Sequence, residues 1–73
     1  MAKRAHPFLR QLGQAVRQLR LQKGISQEEL AGRAHLDRSY MSGVERGARN
    51  ISVLKLQTLA RALGVRVADF FDR

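Results

Sequence analysis

SQEELAGRAHLDRSYMSGVERGARN, residues 26–50, reads as two short capped helices joined by a tight turn. Ser26 and Glu29 have the spacing of a capping box: the serine oxygen accepts from a free N–H of the first helical turn, and the glutamate reaches back to the serine's own N–H. A helix is therefore expected to start at Gln27. Leu30, Ala31 and Ala34 then form a narrow inward stripe on which alanine lets a neighbouring helix come close. Asp37 offers a second N-cap, which predicts a helix from Arg38 to about Arg46, with Tyr40, Met41 and Val44 inward and Gly47 as its C-cap. Only His35 and Leu36 remain for the turn.

Two-turn helices do not persist alone in water, so both need packing from the flanking segments. Upstream, Phe8, Leu9, Leu12, Val16 and Leu19 keep helical spacing between Pro7, suited to a first turn, and Gly24, suited to a C-cap. Downstream, Ser52 can cap a helix with Leu56, Leu59, Ala60 and Leu63 on one face, ended by Gly64. A last short helix is expected to carry Val67, Phe70 and Phe71. The expected fold is all-α, a compact bundle of five short helices in 73 residues, small enough for its core to be marginal without help. Residues 1–6 read as a flexible basic arm and 7–73 as one domain, undivided by repeats, low-complexity tracts or linkers. Met1 and the hydrophobic closing segment read as the ends of a complete protein, a domain of a longer regulator being the alternative.

Fourteen Lys and Arg against six Asp and Glu give a net charge of +8, and the first 23 residues hold six basic side chains and no acidic one. Such an excess suits a polyanionic partner. Eleven of the fourteen are arginine, which favours bidentate contact with phosphate or guanine over mere solubility. With no cysteine there is no disulfide or thiolate metal site, and no apolar run is long enough for a membrane span or secretory signal. A cytoplasmic setting is expected. His6 and His35 lack Cys or acidic partners at ligand spacing, so neither a metal nor a cofactor is expected.

Together, the SQEELA run, the LDRSYMSGVERGARN run and the LARALGV run near the C-terminus resemble the Cro/CI-type helix-turn-helix domains of small bacterial and phage repressors, over about residues 9 to 71. Within that family, LDRSYMSGVERGARN is most similar to the controller proteins of restriction-modification systems. The resemblance implies a lambda-repressor-like DNA-binding domain whose second motif helix, 38–46, reads the DNA groove. The chain departs from the family at the turn, where His35 stands in place of a frequent glycine. If that position needs positive φ, some strain is expected.

Gln27 heads the first motif helix, where free N–H groups and the helix dipole face a phosphate, and the resemblance gives it a backbone-contact role. Arg38 and Ser39 occupy the first exposed turn of the recognition helix: Arg38 can bond bidentately to a guanine, and Ser39 can donate or accept. Ser42 lies one turn on, near enough for the same groove or simply a small surface residue. Tyr40 either closes the core or lends its hydroxyl to a phosphate. Gly43 has no side chain to read with. Arg49 and Asn50, past the end of the helix, suit phosphate or groove-edge contacts, turn chemistry being the alternative for Asn50. Arg46 can do the same or stabilise its own helix C-terminus. By resemblance, Arg20 and Glu45 form a buried structural pair.

Val65, Val67, Phe70 and Phe71 are expected either to finish the core or to form a homodimer interface. A two-fold dimer would set two recognition helices one turn of DNA apart, roughly 34 Å, and read a pseudo-palindromic operator. Transcription would fall by blocking RNA polymerase or rise by touching it. A protein-binding module such as an antitoxin is the alternative reading. No nucleophile, base and orienting acid occur together, so catalysis is not expected.

Overall fold

The computed structural model describes residues 6–71 and is all-helical over them. Four α-helices, α1 Pro7–Gln22, α2 Gln27–Arg33, α3 Arg38–Arg46 and α4 Val53–Leu63, are followed by a closing 3-10 turn, Val67–Phe70. The boundaries follow local chemistry. Ser26, Asp37 and Ser52 cap α2, α3 and α4 by accepting from the N–H of Glu29, Ser39 and Lys55 at 2.9, 3.0 and 3.1 Å, so each helix starts where a side-chain oxygen satisfies an otherwise free donor. Gly47 and Gly64 end α3 and α4 in the left-handed region. The capping box of α2 is half made: Ser26 plays its part, but the Glu29 carboxylate turns to Arg33 one turn on, 2.6 Å away.

The expected fifth α-helix is instead this single 3-10 turn, and Phe71 lies beyond it. The three-residue repeat of a 3-10 turn puts Val67 and Phe70 on one side, so a four-residue segment can still face the core twice. Arg66 and Asp69 pin its start, the Arg66 N–H donating to Asp69 Oδ2 at 2.9 Å. Phe70 is 2% exposed and completes the chain's own core; it is therefore not available as an interface residue. Val65 and Val67 are half-buried against that core.

The core draws on every element: Leu12, Ala15, Val16 and Leu19 from α1; Leu30 and Ala31 from α2, with Ala34 just past its end; Met41 and Val44 from α3; Leu56, Leu59, Ala60 and Leu63 from α4; and Phe70. Burying a side chain such as Leu30 or Leu59 contributes about 1.5–3 kcal/mol, and this shared interior holds α2 and α3, which are too short to persist alone. Phe8 departs from the inward stripe of α1. It is 54% exposed and stacks on Phe71, the ring centroids 5.6 Å apart and the planes 10° from parallel. His6, assigned to the basic arm by sequence, is the N-cap of α1: its Nδ1 accepts from the Phe8 N–H at 3.1 Å. The rest of that arm, residues 1–5, lies outside the described residues.

α1 packs along α3 at close range, and the reason is Gly13. A Cβ at this position would stand 2.4 Å from the Val44 carbonyl oxygen and 2.5 Å from that of Glu45. The absent side chain lets the backbone of α1 lie directly on the end of α3. Between α2 and α3, His35 has φ 56, so the residue standing at the turn holds the left-handed conformation that glycine adopts without cost.

Candidate nucleic-acid interface

The start of α3 and the start of α2 meet in a shallow depression lined by Gln27, Asp37, Arg38, Ser39 and Ser42. Four of the residues singled out by sequence are thus gathered at one place, and Asp37 fixes Ser39 among them. Its carboxylate accepts from both the backbone N–H and the hydroxyl of Ser39. Those bonds, foremost the hydroxyl's, together with one from the Tyr40 N–H and the nearby Arg49 charge, hold the Asp37 carboxyl below its ordinary pKa. Because the Ser39 hydroxyl spends its single donor on Asp37, what it presents outward is acceptor capacity. Ser42 Oγ accepts from Arg46 Nη1 at 2.6 Å, which lays Arg46 back along the exposed face of α3. Arg38 is exposed, and among the described residues its guanidinium has no hydrogen-bond or ion-pair partner, leaving all five donors for a ligand.

Behind this surface sits a buried ionic grip. Arg20 Nε donates to Glu45 Oε2 at 2.7 Å and Nη2 donates to Oε1 at 3.1 Å. A third donor, Nη1, reaches the Ile25 carbonyl at 3.1 Å, tying in the α1–α2 loop. Glu45 Oε1 also accepts from Gln27 Nε2 at 3.0 Å. One carboxylate on α3 therefore fixes α1 and the first residue of α2 together. Gln27, which sequence placed on the DNA backbone, has one amide N–H held by Glu45, leaving its other N–H and its carbonyl for a ligand.

Tyr40 is half-buried and carries two cations over its ring, Lys55 Nζ at 4.6 Å and the Arg49 guanidinium carbon at 5.5 Å from the centroid. Asn50 is exposed in the loop that follows. Lys55 was not among the sequence candidates. Its signal was nonetheless there: a cation in the first turn of a helix opposes the dipole and calls for another reason to be present. Gly13 was likewise passed over, although a glycine inside a strong helical pattern usually marks close packing. Among the described residues no three His, Cys, Asp or Glu come together as a metal site, and no helix is long and apolar enough to cross a membrane.

This arrangement has counterparts. A profile described as helix-turn-helix matches residues 16–70. Control protein C.BamHI from Bacillus amyloliquefaciens is 48% identical over 61 residues, which cover 82% of this chain and 75% of that protein. The crystal structure of the restriction-modification controller protein C.AhdI from Aeromonas hydrophila superposes with a TM-score of 0.88 at 47% identity, covering 90% of this chain and 100% of that one. The controller protein C.Esp1396I, solved as a tetramer with its natural 35 base-pair operator, superposes with a TM-score of 0.83 at 36% identity, covering 92% of this chain and 88% of that one. With two capped helices about a tight turn, a polar depression at the head of the second and these relatives, the chain belongs to the Cro/CI-type helix-turn-helix family of DNA-binding transcriptional regulators.

Proposed function

We propose that the chain acts as a restriction-modification controller or a similar autoregulator, binding a pseudo-palindromic operator as a homodimer with α3 in the major groove. The observation that carries this reading is the unpartnered Arg38 gathered with Gln27, Ser39 and Ser42 in the depression at the head of α3. Arg38 reads a guanine through O6 and N7, and Ser39 accepts from a base amino group. Gln27, Arg46, Arg49 and Asn50 fix the register on phosphates, which position the protein but carry no sequence information themselves. Arg20 and Glu45 hold the reading helix in place from behind.

The dimer joins two such heads across the apolar side that Leu54, Val65 and Val67 contribute, with Phe71 at its margin. Regulation is by occupancy: the position of the operator decides whether bound protein blocks RNA polymerase or touches it. The protein works in the cytoplasm, on the nucleoid.

The test is binding at about 150 mM salt to a duplex from the gene's own upstream region against a scrambled duplex, with stoichiometry. A preference of about a thousandfold with two subunits per site supports the reading; equal binding to both sinks it. Arg38→Ala is expected to lose the preference while keeping most non-specific affinity. If it weakens both duplexes alike, Arg38 contacts phosphate rather than bases.

A further inference from the structure

The Tyr40 ring gathers two cations that have no ion-pair partner among the described residues. Lys55 comes from the first turn of α4 and Arg49 from the loop between α3 and α4. Both centres lie within the distance of about 6 Å at which a cation is drawn to an aromatic face. The placement of Arg49 has its own cause. A Cβ on Gly43 would stand 2.8 Å from Arg49 Cγ, so the bare backbone of α3 at this position is the seat on which the arginine stem lies. Two like charges are thus held at one ring beside the reading turn, an arrangement that an anion close to both favours.

We infer that Tyr40, Arg49 and Lys55 form a preset phosphate seat, with Lys55 as a DNA-backbone contact in its own right and Tyr40 and Gly43 as the residues that position its cations. The inference rests on the DNA-binding reading above and deepens it. The ligand is a backbone phosphodiester next to the bases read by Arg38. The tyrosine acts through its ring rather than its hydroxyl. Its role is to remove the search for a bound geometry from two long, rotamer-rich side chains, so that less order has to be imposed when DNA binds.

Four variants of the full chain test the seat, each measured on the upstream and the scrambled duplex over a range of salt concentrations. Lys55→Gln is expected to weaken both duplexes by a similar factor and to flatten the slope of log affinity against log salt by about 0.9 per subunit, or about 1.8 per dimer. Tyr40→Phe, which keeps the ring, is expected to stay within about twofold of wild type, whereas Tyr40→Leu loses about fivefold or more. Gly43→Ala is expected to leave thermal stability unchanged or higher, because alanine favours a helix interior, while affinity falls at least about threefold as Arg49 is pushed off its seat.

An unchanged salt slope in Lys55→Gln overturns the inference, as does a Tyr40→Phe loss as large as that of Tyr40→Leu. A brace that served only the fold would lower the melting temperature of Lys55→Gln and leave its slope alone, which also overturns it. Wild-type protein that binds neither duplex overturns the DNA-binding reading itself, a result distinct from either.

Discussion

Arg20 and Glu45 stand 25 residues apart in sequence and meet through two hydrogen bonds of 2.7 and 3.1 Å, with side chains only 10% and 4% exposed. A pair this dry is a poor source of net stability but is costly to break, because the surviving partner remains as a buried, unpaired charge. Arg20→Ala is expected to destabilise the fold by about 3–5 kcal/mol. At about 4–8 °C per kcal/mol for a domain this small, the melting temperature falls by at least about 12 °C. Replacing both, as Arg20→Met with Glu45→Leu, should recover much of that loss. It should not recover DNA affinity, because Gln27 loses the carboxylate that orients it. Thermal unfolding and duplex titration of the two variants separate these effects.

The same substitution at two helical glycines is expected to have opposite signs. Gly32 has open space where a Cβ would go, so Gly32→Ala should stabilise α2 by roughly 0.5–1 kcal/mol through helix propensity. At Gly13 the new methyl would meet the Val44 and Glu45 carbonyl oxygens of α3 at 2.4 and 2.5 Å. Backbone cannot step aside as a flexible side chain can, and overpacking of this kind costs about 1–3 kcal/mol or more. Gly13→Ala should therefore lower the urea midpoint and, by displacing α3, weaken operator binding. A stabilised Gly13→Ala would mean that the α1–α3 approach is looser than its geometry.

His35 is the only non-glycine residue with positive φ among the described residues, at 56°. An L-residue in the left-handed region gives up roughly 1–2 kcal/mol, part of which glycine returns through its more flexible unfolded chain. His35→Gly is expected to raise stability by about 0.5–1 kcal/mol. The readout is a higher urea midpoint at an unchanged slope, with operator affinity unaltered because His35 lies in the turn and outside the reading surface.

The start of the turn was legible because its chemistry is local. Ser26, Asp37 and Ser52 act on backbone within three residues of themselves, and Gly47 and Gly64 act on their own φ, so the bounds of α2, α3 and α4 could be read directly from residue order. The meeting of Gln27 with Arg38, Ser39 and Ser42 followed once the two helices were placed. What was not legible depends on distant partners. Phe8 leaves the inward stripe of α1 because Phe71 stacks on it, and Gln27 turns toward Glu45 on another helix. Lys55 reaches Tyr40 only after α4 has docked. The final helix is a single 3-10 turn, whose three-residue repeat sets both Val67 and Phe70 toward the core.

Asp37 gives the fold a pH dependence whose sign follows from its cap. Its folded pKa lies below the ordinary 3.8, chiefly because the Ser39 hydroxyl and N–H donate to the charged carboxylate. A carboxyl depressed by folding contributes its stability fully above the unfolded value and loses it as pH falls through the folded one. Wild type should therefore lose stability below about pH 3.8. Asp37→Asn, which keeps a side-chain acceptor at the cap, should lose less over the same interval. Asp69 is depressed in the same direction by its bonds from Arg66 and is present in both proteins, so it cancels in the difference. Parallel acid titrations of the two, followed by circular dichroism, read that difference; curves that stay parallel would remove Asp37 from the acid response.

Leu54 carries the last prediction, which concerns assembly. It is 75% exposed in the first turn of α4, and helical spacing sets it in line with Thr58 four residues along and half-buried Ala62 eight along, with Val65 and Val67 following beyond the helix end. Phe70 has been taken into the core, so the interface proposed with a second copy falls to exposed Leu54 together with half-buried Val65 and Val67. Leu54→Glu should barely change the stability of the monomer, within about 0.5 kcal/mol as for an ordinary surface substitution, because Leu54 does not pack on the core. It should place two like charges near the two-fold axis and weaken the dimer at least tenfold, seen by sedimentation at micromolar concentration. If each subunit neutralises three or four phosphates, a dimer binds DNA with a salt slope of about −5 to −7, and a monomeric variant should show about half of that. A Leu54→Glu protein that still sediments as a dimer and keeps the full slope would rule Leu54 out of the interface.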